Sequence, residues 1–222
     1  MSWYAKPSGG YTTEDTEAQA NMFMIKDYLV SQGWSLTAIA GFLGNVANES
    51  GFNPWRWQND VVSWASDHGY GLVQFTPASY YIGINGRGQN FPEYAPNISV
   101  TGTTIGSSPN DGEAQLKTIE IYHDDKFFNR QSYCDYTDIS SAYPYSSYKT
   151  LNDLWIATVG WLFNYEFPAA RYRDYEHAMA RYNTASRCYE IITGSQPPDP
   201  PIPPTPSRKK MPVWMMVRPL TI

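Results

Sequence analysis

Apolar residues recur at helical spacing in two segments near the start of the chain. The first predicts an amphipathic helix over residues 14–32, ended by Gly33, because its apolar positions lie four, three and four residues apart: Ala18, Met22, Ile25 and Leu29. Ser35 is a good N-cap for a second helix, whose predicted inner face carries Leu36, Ile39, Ala40, Leu43, Val46 and Ala47. This helix should stop at Gly51, so that Glu49 lies in its last turn.

The pattern then changes from helical spacing to short strands and turns. Residues 57–75 are rich in aromatic residues, valine and glycine, and they predict a small β element. Thr76-Pro77 predicts the start of a further helix, because proline fits the first helical position. The Gly-, Pro- and Asn-rich residues 83–109 predict an irregular surface segment.

More helices are predicted in the second half of the chain. Residues 111–128 have a helical pattern, and Asn152 should cap a segment at 154–165 that is apolar nearly all round and therefore buried at the centre of the domain. A last helix should follow Pro168, with these residues facing inward: Tyr175, Ala178, Met179 and Tyr182. The predicted fold is mainly α, a helical domain with a small β element inserted after the second helix.

The end of the chain differs in composition from the rest. Nine of the 17 prolines follow Gln196, and such a stretch favours extended polyproline II over helix or strand. We therefore predict a folded domain at residues 1–195, a Pro-rich linker at 196–210 and an apolar tail at 211–222. The tail is either a docking segment for a partner or a frayed terminus, and both interpretations stay open.

Charge and hydropathy exclude several classes of partner. Residues 1–196 hold 12 Lys and Arg against 20 Asp and Glu, a net charge of −8, whereas the remainder holds 4 against 1, a net charge of +3. An acidic domain suits neither nucleic acid nor charge-driven adsorption to an acidic cell wall. No stretch reaches the roughly 18 apolar residues that a membrane span requires, and the first residues lack the pattern of a secretory signal.

The cysteines and histidines do not form a recognisable site. Cys134 and Cys188 are too few for a disulfide scaffold and lack the spacing of a zinc site, so we expect no metal and no cofactor. Whether these two cysteines pair is left open by the sequence. A cysteine peptidase would need a His base beside one of them, but His68, His123 and His177 are scattered along the chain.

Glu49 is the candidate for acid catalysis. Glycoside hydrolysis requires a carboxylic acid that keeps its proton near neutral pH. Three features disfavour the charged form of Glu49: the apolar face of its helix, the neighbouring Phe52 and Trp55, and the negative end of the helix dipole. The ordinary alternative is a solvated glutamate at a helix end, and the surrounding sequence decides between the two.

Two motifs in a fixed order carry a family resemblance. Residues 39–54, Ile-Ala-Gly-Phe-Leu-Gly-Asn-Val-Ala-Asn-Glu-Ser-Gly-Phe-Asn-Pro, and residues 70–77, Tyr-Gly-Leu-Val-Gln-Phe-Thr-Pro, together resemble the phage tail lysozyme family. They are more distantly similar to goose-type lysozymes and soluble lytic transglycosylases. A third motif, Phe-Asn-Tyr-Glu-Phe-Pro at 163–168, is also similar to the tail lysozymes. The resemblance spans about residues 14–192 and implies a lysozyme-like α+β fold.

The resemblance implies roles for individual residues. Glu49 corresponds to the catalytic acid, Gln74 to a substrate or water contact, and Ser50 to a supporting hydrogen-bond partner. Glu166 would position the substrate or tune the acid. Several aromatic residues near the motifs either stack on sugar rings or pack in the core: Trp57, Tyr70, Phe75, Tyr80 and Tyr165.

A second carboxylate is not clearly marked in the sequence. Asp60 and Asp67 flank the predicted β element, and Glu166 is a third candidate, but surface turn residues are the ordinary interpretation of the two aspartates. In transglycosylase-like relatives a single glutamate serves as both acid and base. Hydrolysis and lytic transglycosylation therefore both stay open.

The resemblance implies a virion-associated glycosidase that cleaves peptidoglycan between N-acetylmuramic acid and N-acetylglucosamine during phage entry. Phage tail or other virion proteins would be its partners, through the C-terminal tail, and would carry the acidic domain to the wall. The alternative function is a catalytically inactive structural tail or core protein that keeps the lysozyme-like fold.

Overall fold

The computed structural model describes residues 3–6, 8–60, 67–82, 86–90, 111–123, 145–166 and 174–197. Within these ranges the chain is mainly helical, as predicted. The α-helices are α1 (Thr16–Ser31), α2 (Leu36–Ser50), α3 (Asp111–Tyr122), α4 (Tyr145–Lys149), α5 (Leu154–Trp161) and α6 (Tyr175–Thr193). The π-helical segment Leu162–Glu166 continues α5, and short 3₁₀ turns lie at Gln58–Asp60, Ala78–Tyr80 and Arg87–Asn90.

Helices α1 and α2 confirm the first sequence prediction at both ends. The four apolar positions predicted for α1 are buried: Ala18, Met22, Ile25 and Leu29. Ser35 caps α2 by accepting a hydrogen bond from Ala38 N at 3.0 Å. Gly51 ends α2 with φ 57° and ψ 43°, a left-handed conformation that glycine adopts without steric cost.

The burial of α2 is wider than predicted. Every residue from Thr37 to Val46 is buried, whereas Leu36, assigned above to the inner face, is 40% exposed. Two glycines account for this difference. A Cβ on Gly41 would lie 2.6 Å from the backbone of Ala157 in α5, and one on Gly44 would lie 2.7 Å from Arg181 O in α6. Backbone therefore packs on α2 from two sides, and α2 forms the centre of the domain together with the buried α5.

The start of α5 and the last helix differ in detail from the prediction. The N-cap of α5 is Asp153, which accepts a hydrogen bond from Ile156 N, and not Asn152. In α6, Ala178 and Tyr182 are buried as predicted, while Tyr175 and Met179 are only half-buried. The predicted continuation of the third helix to residue 128 lies partly outside the described residues, which end there at 123.

The small β element predicted after the second helix is not seen in the described residues. The described part of residues 57–75 contains no strand, only the isolated antiparallel bridges Trp57 to Tyr70 and Tyr70 to Phe75. The reason is that side chains bind much of the backbone here, as Gln115 does for Leu72 N at 2.7 Å, which leaves few groups for a ladder. Pro77 is the N-cap of a three-residue 3₁₀ turn and not the first residue of a helix.

Two predicted segments lie largely outside the described residues. Only 86–90 of the predicted irregular segment 83–109 is described, and it contains the 3₁₀ turn given above. The predicted linker and tail lie outside the described ranges from residue 198 onward. None of the described helices is long and apolar enough to cross a membrane.

Candidate active site

The carboxyl of Glu49 lies at the boundary between the core and the surface. Glu49 occupies the last turn of α2, whose end is fixed by a hydrogen bond from Gly51 N to Ala47 O. Its side chain is 21% exposed, while Phe52 is fully buried and Trp55 is half-buried beside the core. The helix therefore carries a carboxyl out of an apolar interior to a point that solvent reaches.

The main partner of Glu49 is Arg181 of α6, which was not among the site residues predicted from the sequence. Arg181 Nη2 donates to Glu49 Oε1 at 2.5 Å, and the guanidinium is 16% exposed. Arg181 Nη1 also donates to Asn45 Oδ1 at 3.1 Å. Arg181 therefore places a guanidinium directly against the carboxyl that was predicted to lie among apolar neighbours.

One signal in the sequence points to this arrangement. Asn45 interrupts the apolar run of α2, and it lies four residues before Glu49, which places both side chains on one face of the helix. Asn45 is fully buried, and a buried amide requires partners. The identity of the third member, Arg181, could not be inferred because it lies 132 residues after Glu49.

Gln74 lies in the turn of the second motif, in a strained backbone conformation. Its φ of 47° is in the left-handed region, where a residue other than glycine costs energy and often marks a functional site. Its amide Nε2 donates to Arg56 O at 3.1 Å and to Gly71 O at 3.0 Å. Because both amide hydrogens are used, the half-buried Gln74 presents its Oε1, an acceptor, for further contacts.

The two motifs meet through the backbone that follows α2. Gly71 N donates to Arg56 O at 2.8 Å, and Gln58 N donates to Gly69 O at 2.9 Å. Arg56 O thus accepts from both the backbone and the Gln74 side chain. Among the described residues no hydrogen bond or ion pair joins Glu49 directly to Gln74, so the two are related through this short connection.

The buried carboxyl of Asp111, which was not predicted from the sequence, holds the second motif in place from the interior. Asp111, the first residue of α3, accepts hydrogen bonds from Tyr70 at 3.0 Å and Tyr81 at 2.9 Å. Gln115 Nε2 donates to Asp111 and to Pro54 O, each at 2.8 Å. Burial raises the pKa of Asp111 to about 6, against the lowering effect of these hydrogen bonds. In the sequence, Asp111 is indistinguishable from an ordinary acidic residue at a helix start.

Three of the residues that were predicted to support or line the site are interior in the structure. The Ser50 hydroxyl donates to Val46 O within α2, and Ser50 is fully buried. Tyr70 is fully buried, and its hydroxyl is bonded to Asp111. Phe75 is 2% exposed and stacks on Tyr81 with ring centroids 5.0 Å apart. In the structure these three side chains pack in the interior and support the motifs.

The third motif is linked to the other two through aromatic residues that lie between them. Tyr165 stacks on Trp161 with ring centroids 4.1 Å apart. Trp161 in turn meets Phe42 of α2 edge to face, with ring centroids 4.7 Å apart. Burial raises the pKa of Tyr165 well above its usual value, and the nearby Glu166 and Tyr80 add to this rise. Tyr80 in turn stacks on Phe75. The half-buried Glu166 accepts a hydrogen bond from Trp161 Nε1 at 3.0 Å.

The two candidate aspartates are engaged by neighbours. Asp60 forms an ion pair with Arg56 at 2.9 Å and accepts a hydrogen bond from Gly9 N at 2.8 Å. Asp67 is 86% exposed and pairs with the adjacent His68, whose hydrogen bond lowers the pKa of Asp67. Both arrangements are typical of loop residues that fix local structure.

The remaining reactive groups do not form a second site in the described residues. Burial raises the pKa of the Cys188 thiol far above its usual value, and this thiol is free, so Cys188 is a packing residue and not a nucleophile. Cys134 lies outside the described residues. The described ranges contain no group of three or more His, Cys, Asp and Glu side chains that could hold a metal ion.

Comparison with known proteins places the chain in a family and finds related curated proteins. The sequence model of the family described as phage tail lysozyme matches residues 20–192. A curated relative, Morphogenesis protein 1 of Bacillus phage B103, is 44% identical over 66 residues. That match covers 30% of this chain and 18% of the relative, so the chain corresponds to a small part of that protein. The family match includes Glu49, Gln74, Glu166 and Arg181.

Proposed function

Because this chain belongs to the phage tail lysozyme family, we propose that it is a virion-associated peptidoglycan hydrolase. The proposed cut lies between N-acetylmuramic acid and N-acetylglucosamine in the wall glycan, during phage entry. The observation that carries the proposal is the Glu49 carboxyl, which a buried helix holds at a partly exposed position within the family match.

In the proposed reaction Glu49 donates its proton to the glycosidic oxygen. The bond between the anomeric carbon and that oxygen then breaks, the leaving sugar takes the proton as a hydroxyl, and positive charge develops on the anomeric carbon. The resulting Glu49 carboxylate takes a proton from the water that attacks this carbon, which restores the acid. One carboxyl thus serves as acid and then as base.

A single-carboxyl reaction agrees with the contacts of the other acids. Asp60 is ion-paired with Arg56, and Asp67 points to solvent beside His68.

If the attacking group is a hydroxyl of the muramic acid itself in place of water, the product carries an anhydro end. Mass spectrometry of the released muropeptides distinguishes this lytic transglycosylase product from the hydrolase product.

Gln74 is proposed as an acceptor for the substrate. Its two N–H groups donate to Arg56 O and Gly71 O, so it can bind only a donor, such as a sugar hydroxyl or an acetamido N–H. Glu166 is proposed as a second polar contact, because its half-buried carboxyl is held by Trp161. Tyr70, Phe75, Tyr165 and Ser50 are proposed to support these contacts from the interior.

The net charge of the domain bears on how it reaches the cell wall. Residues 1–196 carry a net charge of −8, which gives the domain no electrostatic attraction to an acidic wall. We propose that the linker at 196–210 and the tail at 211–222 attach it to a tail or other virion protein. If particles formed with a chain ending at Ser195 contained the protein at full occupancy, this attachment would be refuted.

The central experiment compares wild type with Glu49→Gln in the release of muropeptides from purified cell walls. We expect the variant to lose nearly all activity, because an amide is not acidic enough to transfer a proton to the glycosidic oxygen. Glu176→Gln, which removes an exposed carboxyl from α6, is the matched control and should keep full activity. Equal rates for wild type and Glu49→Gln would refute the role given to Glu49.

The second candidate function is a structural protein without activity. It is favoured by the name of the relative, Morphogenesis protein 1, and by the ion pair that occupies the carboxyl of the proposed acid with Arg181. The same assay separates the two functions. Wild-type protein that assembles into particles but releases no muropeptides would establish the structural role.

A further inference from the structure

Arg181 reaches Glu49 because α2 and α6 touch backbone to backbone. A Cβ on Gly44 would lie 2.7 Å from Arg181 O and 2.6 Å from the Cβ of Ala185. Only glycine permits this spacing at position 44. The close approach brings the Arg181 side chain of α6 to the end of α2. Because the backbone of Arg181 packs against Gly44, the point from which this side chain extends is fixed.

Asn45 holds the guanidinium in one orientation. The Asn45 amide donates to Gly41 O at 2.9 Å and to Thr158 O at 3.1 Å. Both of its N–H groups are therefore engaged, and its Oδ1 must face the Nη1 of Arg181, 3.1 Å away. Because Asn45 is fully buried, it gives Arg181 a rigid second support beside Glu49.

The contact with Arg181 makes the two oxygens of Glu49 different. A guanidinium is a donor only, so Glu49 Oε1, at 2.5 Å from Nη2, must accept. In a protonated carboxyl the accepting oxygen is the carbonyl oxygen, and the proton lies on the other one. Among the residues that the structure describes, none is hydrogen-bonded to Oε2, and the side chain is 21% exposed.

We infer that Arg181 is a positioning residue for the acid, which holds the Glu49 carboxyl by Oε1 so that Oε2 carries the proton toward the substrate. This inference rests on the proposed function. Arg181 acts in both halves of the reaction. It orients the protonated carboxyl before donation, and it compensates the charge of the carboxylate that remains until water returns a proton.

The test compares Arg181→Met and Arg181→Lys with a control on the same helix. Arg187→Met removes a guanidinium that pairs with Glu14 and Glu190 at the surface. We expect Arg181→Met to lower kcat by about 10- to 100-fold, the range expected for a misplaced catalytic group, with KM close to wild type. Arg181→Lys should recover part of kcat, and Arg187→Met should keep it.

A cycle with Glu49→Gln gives the second readout. If Arg181 acts through Glu49, Arg181→Met lowers the residual activity of Glu49→Gln no further, and the Tm changes of the two substitutions are not additive. Additive Tm changes, or full kcat in Arg181→Met beside an inactive Glu49→Gln, would overturn the positioning role alone. Full activity of Glu49→Gln would overturn the proposed function as well.

Discussion

Gly44 and Arg181 are in backbone contact: a Cβ on Gly44 would lie 2.7 Å from the Arg181 carbonyl oxygen. The contact joins the central helix α2 to α6 within two turns of Glu49. The spacing of these two helices, and not local sequence at the end of α2, therefore decides which cation lies beside the carboxyl.

The first prediction follows from this contact. Gly44→Ala should lower the free energy of unfolding by about 1–3 kcal/mol, because the added methyl forces α6 away from α2 and outweighs the helix propensity of alanine, about 1 kcal/mol. Urea unfolding measures the change. Asn183→Ala, at an exposed position of α6, should change stability by less than about 0.5 kcal/mol. A Gly44→Ala protein as stable as wild type would contradict the close approach.

The second prediction concerns pH. The pKa of Asp111 rises on folding from 3.8 to about 6 because the group is fully buried, so the native state binds more protons than the unfolded state between these values. The contribution of Asp111 to stability is thus fully present below about pH 4 and is lost as pH rises to about 6. The difference corresponds to roughly 3 kcal/mol.

Asp111→Asn tests this pH dependence. The variant side chain does not titrate, so the unfolding free energy of wild type minus that of the variant should fall as pH rises from about 4 to about 6. Urea unfolding at several pH values measures it, and the subtraction cancels the surface carboxyls that both proteins share. A difference that stays constant with pH, or grows, would contradict the assignment.

The helices could be predicted because their signals are local. Ser35 and Gly51 mark the two ends of α2, and the spacing of Ala18, Met22, Ile25 and Leu29 marks the buried side of α1. The all-round burial of α2 could not be predicted in this way. It depends on glycines at 41 and 44, whose effect is decided by the helices that pack against them.

The candidate site was predictable only in part, for the same reason. Glu49 and Gln74 belong to short motifs, and the resemblance points to both. Arg181 and Asp111 contact those motifs from segments distant in sequence, so no local pattern marks them. The described part of the predicted β element shows no strand, because Gln115 and Gln74 bind backbone groups that a strand partner would use. The local pattern does not reveal these contacts.

The third prediction concerns Glu120 of α3, which ties three segments together. Its carboxyl accepts hydrogen bonds from Trp34 at 2.6 Å, from Tyr145 at 2.7 Å and from Lys149 at 3.0 Å, and it is 10% exposed. Glu120→Gln places an amide N–H against the Lys149 ammonium and removes the ion pair. We expect a loss of about 1–3 kcal/mol in the free energy of unfolding.

The control for Glu120 is Glu113→Gln, at a half-buried position earlier in α3. Its stability should stay within about 0.5 kcal/mol of wild type. At a temperature where both variants are folded, both should release muropeptides at the wild-type rate, because Glu120 has no contact with the proposed site. An unchanged Tm for Glu120→Gln would show that the three contacts contribute nothing to stability.

The fourth prediction separates stability from function at Gln74. Gln74→Gly relieves a left-handed backbone conformation that costs a glutamine roughly 1–2 kcal/mol. It also removes two hydrogen bonds of about 1 kcal/mol each. Because these two effects oppose each other, the free energy of unfolding should change little. Without the Oε1 acceptor, kcat/KM on cell walls should fall by about tenfold. Asn59→Gly is the matched control, because Asn59 has a φ of 59°, is exposed and forms no hydrogen bond with Gln74. It should gain stability and keep full activity, whereas wild-type kcat/KM in Gln74→Gly would remove Gln74 from the proposed site.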